Sequence, residues 1–85
     1  MDKDEIYERV CDVVSDVLGV NVQDISAESR FVEDLGAESI QSVELAAAFE
    51  EEFEIEMDEE AALQVQTVGK AVDFIAEVLE REAAG

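Results

Sequence analysis

Apolar residues return every three or four positions at Ile6, Val10, Val13 and Val17, with Tyr7, Val14 and Leu18 widening the stripe. That period predicts a helix from Lys3 to Leu18. Asp2 stands where an N-cap belongs, Glu5 three residues on completes a capping-box-like pair, and Gly19 suits the left-handed residue that ends a helix. Cys11 falls beside Tyr7 and Val14 on this wheel and reads as a half-buried structural thiol, since no nearby cation would activate it. From Val20 to Glu38 the period is lost. A long loop is expected there, without structure of its own, carrying Val22, Ile25, Phe31, Val32 and Leu35 as anchors and Gly36 as a turn residue. Loops of this length tend to be functional or pinned by buried side chains.

The period resumes at Ser39 or Ile40 and predicts a second helix to Phe53, with Leu45, Phe49 and Phe53 inward and Glu44, Glu50, Glu51 and Glu52 toward water or a partner. Ala46, Ala47 and Ala48 favour helix strongly but fill little volume. A short helical turn is expected around Glu59 to Leu63, capped by Asp58. A last helix follows from Val68 to about Glu82, capped by Thr67, with Val68, Val72, Ile75 and Leu79 beside Ala71, Phe74 and Val78 on its apolar face. No proline interrupts these segments and no strand-like alternation occurs. The fold expected is all-α, a four-helix bundle of three longer helices and one short one, forming a single domain over residues 1–85.

Charge changes this picture most. The chain holds 24 acidic and 5 basic residues, a formal net charge of −19, and no histidine. Affinity for nucleic acid or an anionic membrane surface rests on Lys and Arg, so the expected partner is basic, and nucleic acid is excluded. No run of about 18 apolar residues is present to insert into a membrane, and no basic segment leads into an apolar one as in a signal peptide. One cysteine builds no internal disulfide, which fits the cytoplasm. Without histidine neither a Ser-His nor a Cys-His pair can be assembled, and a Cys/His zinc site is out of reach. The expectation is a protein that is not an enzyme.

Twelve of the acids lie between Glu33 and Glu60, where no basic residue occurs. Four of them, Glu44, Glu50, Glu51 and Glu52, belong to the helix that also carries Ile40 and Val43 away from its inward stripe. Acidic and apolar residues on one outward face suit docking on a partner with Lys and Arg around an apolar depression. The run Glu54-Glu56-Asp58-Glu59-Glu60 fails the EF-hand spacing, lacking its glycine, and Gly69-Lys70 lacks the glycine and hydroxyl residue of a phosphate loop. No metal site is expected beyond weak, non-specific divalent binding.

The segment Asp34-Leu35-Gly36-Ala37-Glu38-Ser39-Ile40 places a serine where the loop becomes a helix. Ser39 there is either an N-cap or a site for a phosphate ester, which the helix N-terminus would stabilise. With Glu50-Glu51-Glu52-Phe53, Phe31 and Thr67-Val68, this run closely resembles the acyl carrier protein family over nearly the whole chain. The departures are Glu38 and Ile40 for the family's usual Asp and Leu, Asp58 where many members have proline, and Leu63 at a usually polar position.

The resemblance implies a carrier domain with no catalysis of its own. A phosphopantetheinyl transferase would attach 4′-phosphopantetheine from coenzyme A to Ser39, and the thiol of that arm would hold acyl groups as thioesters. Partners would be acyl-transferring and acyl-modifying enzymes of fatty-acid or related lipid biosynthesis with basic docking patches, meeting a monomer. By the same resemblance they would meet Glu38, Ile40, Val43, Glu44, Ala47, Glu50 and Glu51, with Met57, Glu59 and Glu60 from the following segment. The departures point to a specialised carrier. A peptidyl or polyketide carrier is the nearest variant, and an unmodified acidic adaptor docking on basic enzymes is the reading from another class.

Overall fold

The computed structural model describes residues 2–57, 60 and 64–84, and for residues 39, 83 and 84 the backbone alone. Three long helices, α1 (Lys3–Leu18), α2 (Ser39–Phe53) and α3 (Val68–Ala84), with a 3-10 turn at Val22–Asp24, make an all-α fold. Among the described residues the extended contacts reduce to one isolated antiparallel bridge between Arg30 and Thr67. The expected short helix from Glu59 to Leu63, with its cap Asp58, lies outside the described residues apart from Glu60, whose backbone is helical.

The helix ends follow from their caps. Asp2 Oδ1 accepts from the Glu5 amide at 2.8 Å, and Gly19 at φ 70° donates its amide to the Ser15 carbonyl. Thr67 Oγ1 accepts from the Lys70 amide at 3.1 Å to open α3. α2 closes differently, because Glu54 takes the left-handed conformation at φ 54° without being glycine. A side chain there costs about 1–2 kcal/mol in backbone strain, and glycine removes that strain at a cost in chain entropy that offsets part of the gain. Glu54→Gly is therefore expected to raise stability by about 0.5–1 kcal/mol in chemical denaturation, and an unchanged midpoint would show that the turn is unstrained.

The core gathers one stripe from each helix. Phe49, Ile6, Ile75, Val10, Val14 and Val68 are its largest fully buried side chains, and α1 packs against both α2 and α3. Cys11 is 2% exposed, so it is fully buried and not half-buried as the wheel suggested. Burial pushes its thiol pKa up; a hydrogen bond with Tyr7 opposes this, and the Asp12 and Glu8 carboxylates add to the rise. A thiol held protonated in an apolar interior is inert.

The segment between α1 and α2 is more ordered than its composition suggests. It opens with the 3-10 turn, and Ile25 and Phe31 are buried while Leu35 packs against the core. Val22 and Val32 are 45% and 58% exposed and are not anchors. The two inward places are taken by Ile25 and Phe31, and Val32, next in chain after Phe31, is turned out.

Backbone bonds tie this segment to the start of α3. The Phe31 amide donates to the Gln66 carbonyl at 3.0 Å, the Val68 amide to Ser29 at 3.0 Å, and the Gly69 amide to Ala27 at 2.8 Å. A Cβ on Gly69 would stand 2.9 Å from the Ala27 carbonyl oxygen, a backbone atom with little room to move. Gly69→Ala is accordingly expected to destabilise by about 1–2 kcal/mol, overcrowding outweighing the gain in helix propensity. A variant as stable as the parent would show that the loop yields freely.

Candidate functional site

The entrance to α2 is built from the loop upward. The Arg30 amide donates to Asp34 Oδ2 at 2.8 Å, and the Arg30 guanidinium pairs with both Asp34 and Glu33. These contacts, the backbone bond first, pull the Asp34 carboxyl below its ordinary pKa. The amides of Asp34 and Leu35 both return to the Arg30 carbonyl at 3.0 Å. Gly36 at φ 73° then reverses the chain so that the Ala37 amide reaches the Phe31 carbonyl at 2.8 Å, with Ala37 only 4% exposed. Each residue of the Asp34-Leu35-Gly36-Ala37 run thus has a mechanical part in setting where the next helix begins.

That helix is capped by its neighbours, not by its serine. Glu38 is the N-cap, in extended conformation, and its amide donates to Gln41 Oε1 at 2.9 Å. Ser39 is the first helical residue, so the alternative in which it serves as the N-cap does not hold. The free amides of this first turn and the positive end of the helix dipole make the position favourable for an added phosphate.

Beside this entrance the outward face of α2 carries Ile40 and Val43, 66% and 55% exposed. Glu38, Glu44, Ala47 and Glu51 are exposed around them, Glu50 is half-buried, and Glu60 is exposed beyond the helix; Glu59 lies outside the described residues. Met57 departs from this surface. It is 8% exposed and turned inward, because the chain leaving Glu54 brings Ile55 and Met57 alternately onto the core. Its assignment to the partner surface is corrected accordingly.

Met57 lines a cavity of about 20 Å³ with Phe31, Ser42, Leu45, Ala46, Phe49 and Val65. The space holds about one water as the molecule stands. Ser42 and Val65 are not singled out by the sequence, and Ala46 only as one of three small helix formers. For Ser42 and Ala46 the signal was available, since they stand seven and three residues before Phe49, on its side of the wheel.

Glu44, Glu50 and Glu51 form no ion pair among the described residues, whereas Glu52 pairs with Arg9 at 3.0 Å. Unbalanced repulsion on one helix opposes folding and is screened by salt, whose Debye length falls from about 30 Å at 0.01 M to about 8 Å at 0.15 M. The melting temperature is expected to rise by several degrees over that range, more with divalent ions at equal ionic strength. A flat profile would show that the clustered charge does not oppose folding.

Among the described residues no helix is long and apolar enough to cross a membrane. Comparison with known proteins adds the chemistry. Residues 8–75 match the family model described as the phosphopantetheine attachment site. The acyl carrier protein of Clostridium acetobutylicum is 47% identical over 70 residues, a span that covers 82% of this chain and 91% of that relative. A match of this extent, over the loop, the helix entrance and the acidic helix described above, makes the chain a member of the phosphopantetheine-bearing acyl carrier protein family.

Proposed function

We propose that Ser39 is the attachment point of the phosphopantetheine arm and that the chain acts as one carrier domain without catalysis of its own. The observation that supports this is the place of Ser39 at the first position of α2, behind a cap supplied by Glu38 and Gln41. In the transfer, the serine oxygen forms a bond to the phosphorus of coenzyme A that carries the pantetheine. The pyrophosphate P–O bond breaks, the nucleotide half leaves, and the serine proton goes to the transferase's base. The arm's thiol then exchanges acyl groups as thioesters.

The cargo in this reading is a fatty-acyl or related lipid intermediate, handled in the cytoplasm by a monomer. Its first stretch would enter between α2 and Phe31 by moving Met57, whose unbranched side chain repacks readily. The transferase and the acyl-processing enzymes would approach over Ile40 and Val43, with basic residues meeting Glu44, Glu50 and Glu51. The replacement of the usual aspartate and leucine by Glu38 and Ile40 favours a specialised carrier served by a transferase that accepts the longer carboxylate and the branched side chain.

The test is incubation of the unmodified protein with coenzyme A and a panel of transferases, read by intact mass. A gain the size of one phosphopantetheine is expected with at least one of them. A protein left unmodified by all would favour the acidic adaptor.

A further inference from the structure

Gln41 grips the residue before the serine from both sides. Its Oε1 accepts from the Glu38 amide at 2.9 Å, and its own amide donates to the Glu38 carbonyl at 2.9 Å, where the Ser42 amide adds a second bond at 3.2 Å. The Glu38 carbonyl and the Ser39 nitrogen belong to one rigid peptide plane, so fixing the first sets the direction in which Ser39 enters the helix. One residue earlier, Ala37 is 4% exposed and its amide is bonded to the Phe31 carbonyl at 2.8 Å. The chain approaching Ser39 is thus held at two consecutive residues, by the core at Ala37 and by Gln41 at Glu38.

Gln41 is half-buried, whereas Ile40 and Val43 are 66% and 55% exposed. Its side chain folds back along the chain onto Glu38 and leaves docking to those neighbours. The first turn of a helix frays unless its end is capped, because the leading amides have no partner within the helix. Ser39 stands in that turn. Attack on the pyrophosphate needs the serine oxygen held close to the phosphorus and in line with the leaving oxygen, and a displacement of about 1 Å in such a step costs up to about a hundredfold in rate. We propose that Gln41 is a positioning residue for the transfer: through the Glu38 amide it keeps the first turn of α2 wound, so that the Ser39 oxygen meets coenzyme A already aimed.

This role rests on Ser39 being the attachment point, and the experiment separates the two. Initial rates of transfer from coenzyme A are measured over a range of carrier concentrations with a transferase that modifies the parent, and each product is mapped by fragmentation. Gln41→Met keeps the length and helix propensity of glutamine but offers only a weak acceptor. It is expected to lower kcat about three- to tenfold, the weight of a typical helix cap, with KM for the carrier within about twofold of the parent. Gln41→Glu restores a strong acceptor at the same position and is expected to bring kcat back to within about twofold. Asp2→Ala removes the corresponding cap of α1, where Asp2 Oδ1 accepts from the Glu5 amide at 2.8 Å. Arg9 pairs with Glu52, so that end of α1 lies toward the end of α2 remote from Ser39, and transfer to this variant should stay within about twofold of the parent. In isotopically labelled protein the Glu38 amide chemical shift should move in Gln41→Met and stay put in Asp2→Ala, and circular dichroism checks that the helices persist. Unchanged kcat in Gln41→Met, an equal fall in Asp2→Ala, no recovery in Gln41→Glu, or a change confined to KM would overturn this role and leave Ser39 as the site. A parent that no transferase modifies, or one whose adduct maps to another residue, would overturn both.

Discussion

Ser39→Ala is expected to abolish phosphopantetheine transfer entirely while leaving the helices in place. A phosphate ester needs a hydroxyl oxygen as nucleophile, and alanine offers none. The fold should hardly notice, because the Glu38 amide is satisfied by Gln41 and Ser39 stands one position inside the helix. Had Ser39 been the N-cap, alanine would cost about 0.5–2 kcal/mol. At the first helical position the change should stay within about 0.5 kcal/mol. The two quantities, modification by mass and stability by denaturation, therefore separate a chemical role from a structural one in a single variant. Continued modification of Ser39→Ala would move the site elsewhere, and a large loss of stability would contradict the cap assignment.

Phe49→Ala should produce the largest loss of stability. The ring is 2% exposed, sits at the centre of the α2 stripe and forms part of the wall of the small cavity. Truncating a buried phenylalanine costs about 3–5 kcal/mol, and the existing void beside the ring limits how well its neighbours can close in. A domain of this size has about 4–13 kcal/mol in total, and each kilocalorie moves its melting point by about 4–8 °C. The expected fall is thus about 12 °C at least, enough to unfold a marginal protein near physiological temperature. A fall below about 4 °C, the shift of a single kilocalorie, would mean that the α2 stripe is not the keystone of the core.

What could be read from the chain was whatever a local rule decides. The boundaries of α1 follow from Asp2, Gly19 and an unbroken apolar period, and the start of α3 from Thr67, because a cap acts within four residues of itself. The inward stripe Leu45, Phe49 and Phe53 is set by period alone. The loop between α1 and α2 resisted, since its side chains are sorted by contacts with residues about forty positions away. Nothing near Val32 or Val22 says that Ile25 and Phe31 take the buried places, and nothing near Ala27 says that Gly69 must approach it.

At the site, the Asp34-Leu35-Gly36 run and Ser39 were recognisable from the sequence, but the division of labour at the helix entrance was not. Serine is a better N-cap than glutamate on statistics, so composition favoured Ser39 for that post. The Gln41 side chain folding back on the Glu38 amide reverses the order. Met57 was placed on the partner surface by the resemblance alone, and only the alternation of Ile55 and Met57 after the left-handed Glu54 carries it inward.

The most direct test of the central claim is fragmentation mass spectrometry of the protein purified from its native host. The account predicts a phosphopantetheine adduct, with or without an acyl group on its thiol, carried by the peptide that contains Ser39 and localised to that residue. An adduct on any other residue would contradict the site, and a protein unmodified in the host would contradict the carrier role itself.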